Sequence, residues 1–210
     1  MLFSLIFLIF GCVSIINADC PSSLKTLLNA NMKSNVENGC GADWQWFERP
    51  SGGWCMKVFA GEKTFAAAEK ECQANGATLS GLQNAAEIDF VQAATLATIT
   101  QSSSSVLVGA KRTAKCLKQK LTAACSAKTS FEWTDGSTTG TAGFVFTGTQ
   151  PDNKNGDQNC ALLLAASTPT VNANGIYAAK TLDDVPCDIA PGGTSARALR
   201  AFVCGKKASK

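Results

Sequence analysis

The chain alternates between two stretches with helical periodicity and several short apolar blocks. In the first helical stretch, Phe65, Ala68 and Cys72 share one face, as expected for a helix packed against a core. Thr64 is placed to cap the start of this helix, and the Asn-Gly pair at 75–76 is typical of a helix end. The pattern therefore predicts a helix between these two signals.

A second helical stretch follows after a short gap. Its apolar residues recur with a helical rhythm at Ile88, Val91, Leu96 and Ile99. Asn84 is placed to cap the start, and Glu87, three residues later, completes the sequence pattern of a capping box. The sequence therefore predicts a second helix that begins after Asn84.

Short apolar blocks bounded by turn residues make up most of the remaining chain. Trp44, Trp46 and Phe47 precede a Pro-Ser-Gly-Gly turn and the block WCMKVF, which predicts a β-hairpin. The later blocks with β-like character are VLVGA, FEWTDG, FVF, CALLLAA, GIYAAK and ALRAFVC. Helices early in the chain and strands late in it predict an α+β fold rather than βαβ repeats. The polar stretches QSSSS and STTGTAG are predicted to be surface loops.

The N-terminal segment is apolar from Leu2 to Ile16 and is followed by a small residue, Ala18. This length suits the core of a signal peptide, residues 1–18, with cleavage expected after Ala18. An N-terminal anchor helix is the alternative, although the length is marginal for a membrane span. No later segment is long and apolar enough to cross a bilayer, so we expect a secreted, extracellular protein without a membrane span.

Composition and charge exclude some classes of protein. Of the 210 residues, 45% are hydrophobic and 17% are charged, as in globular rather than disordered chains. The net charge is only +3, and no basic run is interleaved with aromatic residues, which argues against nucleic-acid binding. Lys111, Arg112 and Lys115 are interpreted as part of a solvated loop, and residues 206–210 as a solvated basic tail.

The cysteines indicate an oxidising compartment. Nine remain after removal of the signal peptide, and the chain has no His and no C-x-x-C pair, which argues against metal–thiolate sites. Disulfide bridges are therefore expected. Because nine is odd, one thiol is left over or bonds a second chain. Cys20 is the candidate, since it lies in an N-terminal extension, residues 19–39, outside the expected core.

Several landmarks follow one another in a characteristic order. They are a cysteine pair around WQWFERPSGGWC, a helix ending in Cys72, the region GATLSGLQNAAEIDFV, and then VLVGA, FEWTDGS, QPDNKNGDQNC, LDDVPC and FVC. In this order they resemble a C-type lectin-like domain, with the look of the secreted nematode branch, over residues 40–205. The resemblance implies a fold of two helices, small antiparallel sheets and a long loop region, held together by disulfides.

The resemblance also implies how the cysteines pair. Spacing alone leaves about 105 pairings of eight cysteines open. The family pattern implies bridges Cys72–Cys204, Cys160–Cys187 and Cys40–Cys55. Cys116 and Cys125 lie outside that pattern and flank LKQKLTAA, which we interpret as an insertion with its own bridge.

In sugar-binding members of this family, one Ca²⁺ lies between the loop triplet and the Trp-Asn-Asp strand, and sugar hydroxyls complete its coordination. The resemblance places both the metal ligands and the sugar-binding residues at Gln150, Asp152, Gln158, Asp183 and Asp184. All five side chains carry oxygen and three are carboxylates, which suits a hard cation such as Ca²⁺. In the family, Gln158 is usually Glu and Leu182 is usually Trp. The competing interpretation is a loop whose Asn, Asp and Gly residues serve only its turns.

The resemblance implies a secreted, Ca²⁺-dependent carbohydrate-binding protein that recognises glycans on microbes or host surfaces in innate defence. Gln-Pro-Asp is similar to the galactose-type triplet, so galactose or GalNAc is the first expected sugar. The alternative function is a lectin-like module that binds protein partners without Ca²⁺ or sugar. An enzyme is not expected, because the absence of His excludes His-based triads and metalloprotease sites. A disulfide-linked dimer through Cys20 would raise the valency of a weak site.

Overall fold

A computed structural model of the chain describes residues 21–172, 176–189 and 193–209. The expected signal peptide, residues 1–18, and Cys20 lie outside these described residues. The signal peptide, its cleavage after Ala18 and the dimer through Cys20 therefore stay predictions.

Three helices lie in the first half of the chain: α1 (Ser22–Glu37), α2 (Phe65–Ala74) and α3 (Ala85–Thr98). The predicted caps are present. Oγ1 of Thr64 accepts the Ala67 N–H at 3.3 Å, and Oδ1 of Asn84 accepts the N–H groups of Ala86 and Glu87. Helix α1 fills most of the segment predicted to be an N-terminal extension, residues 19–39.

The strands form one large sheet and one small hairpin. Their bounds are β1 (Gln45–Arg49), β2 (Gly52–Ala60), β3 (Thr78–Leu79), β4 (Ser103–Arg112), β5 (Phe131–Trp133), β6 (Cys160–Ala166), β7 (Thr170–Asn172), β8 (Ile176–Ala178), β9 (Leu182–Val185) and β10 (Leu199–Lys207). The sheet has the order β1-β2-β10-β4-β6-β9, with β3 beside β10 and β5 beside β4. Strands β10 and β4 are parallel, and the other pairs are antiparallel. Strands β7 and β8 form the separate hairpin.

The hydrophobic core occupies both faces of this sheet. Along β4, Val106 and Val108 belong to the cluster that α3 covers, and Leu107 belongs to the cluster that α2 covers. This alternation follows from the two-residue side-chain period of a strand. Strand β4 is therefore buried on both faces, and its last residue, Arg112, is buried at the edge of the core.

Two of the predicted loop and strand assignments are wrong. Ser103, Ser104 and Ser105 of the QSSSS stretch are buried in β4, where they are tolerated because each hydroxyl donates to a backbone carbonyl. The FVF block is not a strand, and only Phe146 forms an isolated bridge, to Leu182. Strand β10 also runs three residues past Cys204, the last residue of the FVC motif, to Lys207.

Four disulfide bridges connect the elements: the three that the resemblance implied and the one expected within the insertion. They are Cys40–Cys55, Cys72–Cys204, Cys116–Cys125 and Cys160–Cys187. The second ties α2 to the central strand β10, and the fourth joins β6 to the segment after β9. The third closes the insertion that follows β4.

A buried ion network joins the hairpin to α3 and to the Trp-Thr-Asp-Gly turn. Arg49 donates to both carboxylate oxygens of Glu87, at 2.8 and 2.7 Å, and to Asp135 at 3.0 Å. All three side chains have no exposed surface. Glu87 also accepts the N–H of Gln83 rather than that of Asn84, so the predicted capping box is shifted by one residue.

Candidate functional site

The long loop after β5 returns to the sheet directly beside the end of β9. The sheet register places Ala161 of β6 opposite Asp184 of β9. The segment just before β6 therefore lies against β9. The peptide bond between Gln150 and Pro151 is cis, and Pro151 and Asn153 are buried.

Asp184 lies at the centre of this region. Its Oδ1 accepts the N–H of Asp152 at 3.1 Å, and its Oδ2 accepts the N–H of Asn153 at 2.9 Å. The same Oδ2 accepts a hydrogen bond from Nη2 of Arg112. The Asp184 side chain has no exposed surface, so its carboxylate holds the loop in place from within.

The two glutamines of the predicted ligand set are part of the same network. Oε1 of Gln150 accepts the N–H of Asp152 at 2.7 Å. Nε2 of Gln158 donates to the backbone carbonyl of Asp184 at 2.7 Å, and Oε1 of Gln158 accepts the N–H of Lys154. The structure therefore brings together four of the five predicted residues, and their side chains mostly serve the conformation of the loop.

Arg112 supplies the positive charge of this site. The sequence interpretation placed Arg112 in a solvated loop, which is wrong: it is 5% exposed at the end of β4. Its Nε donates to the carbonyl of Gln158 at 2.9 Å, and its guanidinium lies 4.7 Å from the centre of the Phe131 ring. Contact with an aromatic ring and donation from more than one N–H group are the usual environment of a buried Arg.

Burial disfavours the charge on both partners of this pair. Desolvation lowers the pKa of Arg112, although Asp184 opposes that effect. Desolvation likewise raises the pKa of Asp184, opposed by the Asn153 N–H and by Arg112. Each charge thus depends on the other to remain ionised in the interior.

Asp183 is separated from the other four predicted residues. Consecutive residues of a strand point to opposite faces, and Asp183 forms its ion pair with Arg197. The Arg197 guanidinium lies 3.7 Å from the centre of the Tyr177 ring. Oδ1 of Asp183 is buried and has no hydrogen-bond partner among the described residues.

As arranged, the five side chains do not fit a calcium ion. Calcium takes about six to eight oxygens, several of them charged. Here both oxygens of Asp184 are used by Arg112 and backbone N–H groups, and Asp183 faces elsewhere. Within the described parts of the chain, no three acidic, Cys or His side chains are grouped as metal ligands.

Sequence reasoning missed Arg112 as a member of the site and Arg197 as the partner of Asp183. Arg112 lies 72 residues from Asp184, and Arg197 lies 14 residues from Asp183. Neither spacing is a motif, so only the position of Arg112 at the end of an apolar strand could have indicated a buried partner.

Comparison with known proteins identifies the fold. The profile of the family C-type lectin domain-containing protein 141/158 matches residues 48–207. Among solved structures, the C-type lectin CEL-I from Cucumaria echinata is 20% identical with a TM-score of 0.52, over 80% of this chain and 97% of that chain. A cow C-type carbohydrate-recognition domain of CD23, solved in the presence of GlcNAc2Man3 oligosaccharide, is 17% identical with a TM-score of 0.50, over 82% and 99%.

A third structure has the same fold. The Ca²⁺-dependent type II antifreeze protein, in its Ca²⁺-free form, is 21% identical with a TM-score of 0.50, over 80% of this chain and 100% of that chain. Because identities are this low, these structures establish the fold alone. The family profile covers most of the chain. It includes the end of β1, all strands from β2 to β10 and the loop around Asp184. The chain therefore belongs to the C-type lectin domain-containing protein 141/158 family and has the C-type lectin-like fold.

Proposed function

We propose that this protein is a secreted, non-catalytic, lectin-like recognition module that binds glycans through its long-loop region without Ca²⁺. The observation that carries the proposal is the buried pair of Arg112 and Asp184. Asp184 occupies the sequence position where sugar-binding members of the family hold their ion, and here its charge is already neutralised by a guanidinium.

The loop does not need an ion to be ordered. Asp184 accepts two backbone N–H groups from the Gln-Pro-Asp-Asn segment, and Gln158 closes the segment from the other side. The bound conformation is thereby prepared before a ligand arrives, which lowers the entropic cost of binding. Asp152, half-buried on this segment, offers a carboxylate to ligand hydroxyls.

Two observations support an extracellular location. Four disulfides are expected to persist in an oxidising compartment. In the described part of the chain, the helices are too short or too polar to cross a membrane. Family membership supports glycan recognition as the general role, and members are generally not enzymes.

Ca²⁺-dependent binding of galactose or GalNAc is the competing candidate. It is favoured by the grouping of Gln150, Asp152, Gln158 and Asp184 in one network and by the unpartnered Oδ1 of Asp183. It requires Arg112 to leave Asp184, so that the carboxylate becomes available to the ion. The two candidates therefore differ in a single measurable property, the response to Ca²⁺.

The test is a glycan array with the disulfide-intact protein, in EDTA and in millimolar Ca²⁺, together with thermal unfolding in both buffers. We expect the same glycans and the same unfolding midpoint in both. A ligand that binds only the folded state adds about 2.7 kcal/mol at a hundredfold excess over its Kd, so a calcium site would be visible as a raised midpoint. Such a rise, with glycans bound only in Ca²⁺, would establish the competing candidate. Binding to no glycan in either buffer would favour protein partners.

A further inference from the structure

Residues 90–131 form one of the stretches of the chain that carry only positive charge. Residues 90–131 contain six Lys and Arg residues and no Asp or Glu, although the whole chain has a net charge of only +3. The remainder of the chain is therefore net acidic. Arg112 is buried and paired, and the other five are exposed: Lys111, Lys115, Lys118, Lys120 and Lys128.

Three of these lysines lie on or beside the insertion closed by Cys116–Cys125, and the insertion packs on the candidate site. Nδ2 of Asn153 donates to the carbonyl of Gln119 at 2.9 Å. The Cα of Lys118 lies 4.0 Å from the position that a Cβ on Gly156 would take. Lys118 and Lys120 flank Gln119, and Lys154 lies on the facing segment. We call Lys118, Lys120 and Lys154, together with Lys115 at the start of the insertion, the lysine surface.

The lysine surface lacks internal neutralisation. Among the described residues, none of Lys115, Lys118, Lys120 and Lys154 forms an ion pair with a carboxylate. Lys128 and Lys111 are engaged elsewhere, with backbone carbonyls and with the Phe65 ring. The facing loop carries two carboxylates, Asp152 and Asp157, so the surface stays net positive. Like charges held close together repel, and a polyanion would relieve that repulsion.

The chemistry of the surface favours an acidic polysaccharide over a nucleic acid. Proteins that bind single-stranded nucleic acids stack bases on aromatic side chains. Residues 111–130 and 150–159 contain no Phe, Tyr or Trp. Ammonium groups alone suit sulfate groups spaced along a chain.

We propose that the lysine surface binds a sulfated polysaccharide, so that the glycans recognised beside the Asp184 loop are anionic. This inference rests on the proposed function only in taking the ligand to be a glycan. The lysine surface itself does not depend on whether Ca²⁺ binds. It adds a ligand class that the Gln-Pro-Asp triplet does not indicate.

The experiment is titration calorimetry of the disulfide-intact protein with heparin, in EDTA, over a series of salt concentrations. The variant carries Lys115→Gln, Lys118→Asn and Lys120→Gln; Asn is used because Lys118 has φ +60, in the left-handed region that Asn tolerates. The matched control carries Lys25→Gln, Lys33→Gln and Lys70→Gln, which are exposed helix positions with the same change in net charge. Thermal unfolding of each variant checks that the fold is intact.

We expect the surface variant to bind heparin at least about tenfold more weakly. The slope of log Kd against log salt concentration should fall by roughly two, because each lysine that contacts the polyanion releases a counterion, as at nucleic-acid phosphates. The control should lose less than about twofold, because charges beyond a Debye length are screened. An equal loss in both variants, or no loss in either, would overturn the proposal.

Two further probes separate the possible failures. Desulfated heparin should not bind, whereas inorganic polyphosphate binding as tightly as heparin would show that only charge density is recognised and would overturn the assignment to a polysaccharide. Heparin bound in EDTA, with neutral glycans bound only in Ca²⁺, would contradict the calcium-free proposed function and leave the lysine surface intact. Neutral glycans bound in EDTA, with no binding of heparin, would contradict the lysine surface and leave the calcium-free proposed function intact.

Discussion

The guanidinium of Arg112 and the carboxylate of Asp184 form an ion pair across three strands of the sheet. Arg112 ends β4, Asp184 lies in β9, and β6 runs between them. Their side chains are 1% and 0% exposed. Taking two charges out of water is costly, and such a pair adds little net stability relative to apolar residues, but removing one partner alone is strongly destabilising.

Replacement of Arg112 by Met should therefore destabilise the protein strongly. The change introduces an apolar side chain of similar length and leaves Asp184 buried without a counter-charge. We expect the free energy of unfolding to fall by about 3–5 kcal/mol, measured by denaturant unfolding with the disulfides intact.

The double variant Arg112→Met, Asp184→Asn tests the cause of that loss. Asn carries no charge and retains one of the two oxygens that accept the N–H groups of Asp152 and Asn153, so the double variant should recover part of the loss. Loss in the double variant equal to the sum of the two single losses would show that the two side chains do not interact.

Removal of the guanidinium should also create a response to Ca²⁺. Asp152 and Asp184 are joined by a hydrogen bond from the Asp152 N–H. In Arg112→Met, their two carboxylates lack the positive charge of the guanidinium. We expect millimolar Ca²⁺ to raise the unfolding midpoint of this variant and to leave the wild type unchanged. Arg112→Lys is the matched control, because it retains the charge and should not respond. A calcium response of equal size in all three proteins would contradict the role given to Arg112.

Much of the fold could be predicted from local signals. The caps at Thr64 and Asn84 and the hairpin around Pro50 are encoded by neighbouring residues, and they formed where expected. The buried serines of β4 could not be predicted, because a polar strand is tolerated only when distant carbonyls accept its hydroxyls. For Ser103 and Ser105, those carbonyls belong to Ala196 and Arg197, more than ninety residues away.

The candidate site shows the same limit. The resemblance indicated that Gln150, Asp152, Gln158 and Asp184 meet, and they do. It could not indicate that Arg112 joins them, because that contact is made by the sheet order rather than by a motif. The resemblance also grouped Asp183 with Asp184, yet the alternation of side chains along a strand gives Asp183 a different partner, Arg197.

Asp135 should make the stability of the protein sensitive to acid. Burial opposes its charge, but the N–H groups of Thr138 and Ser137, the Thr138 hydroxyl and Arg49 outweigh burial and hold the pKa of Asp135 below its ordinary value of 3.8. A carboxylate with a depressed pKa stabilises the folded state above its unfolded pKa, and this stability is lost as pH falls through the folded pKa.

Asp135→Asn should therefore cost about 1.5–3 kcal/mol at neutral pH, as for hydrogen bonds to a charged group. The difference from wild type should stay constant above about pH 5 and shrink as pH falls through the lowered pKa of Asp135, where the wild-type carboxyl also becomes neutral. Urea unfolding at a series of pH values measures this difference. A difference that grows as pH falls would show that Asp135 is not held in its charged form.

The bridge Cys116–Cys125 should stabilise the insertion and little else. It closes a loop with a sequence separation of 9, for which the chain-entropy estimate is about 2–3 kcal/mol. The insertion contacts the candidate site through the hydrogen bond between Gln119 and Asn153. The effect of removing the bridge should therefore be confined to this region. We expect Cys116→Ser, Cys125→Ser to raise hydrogen exchange in residues 114–130 and around Asn153 while β4 and β6 stay protected. Exchange that rises throughout the sheet would mean that the insertion is part of the cooperative core, and the lysine surface would then have to be tested only in variants that keep this bridge.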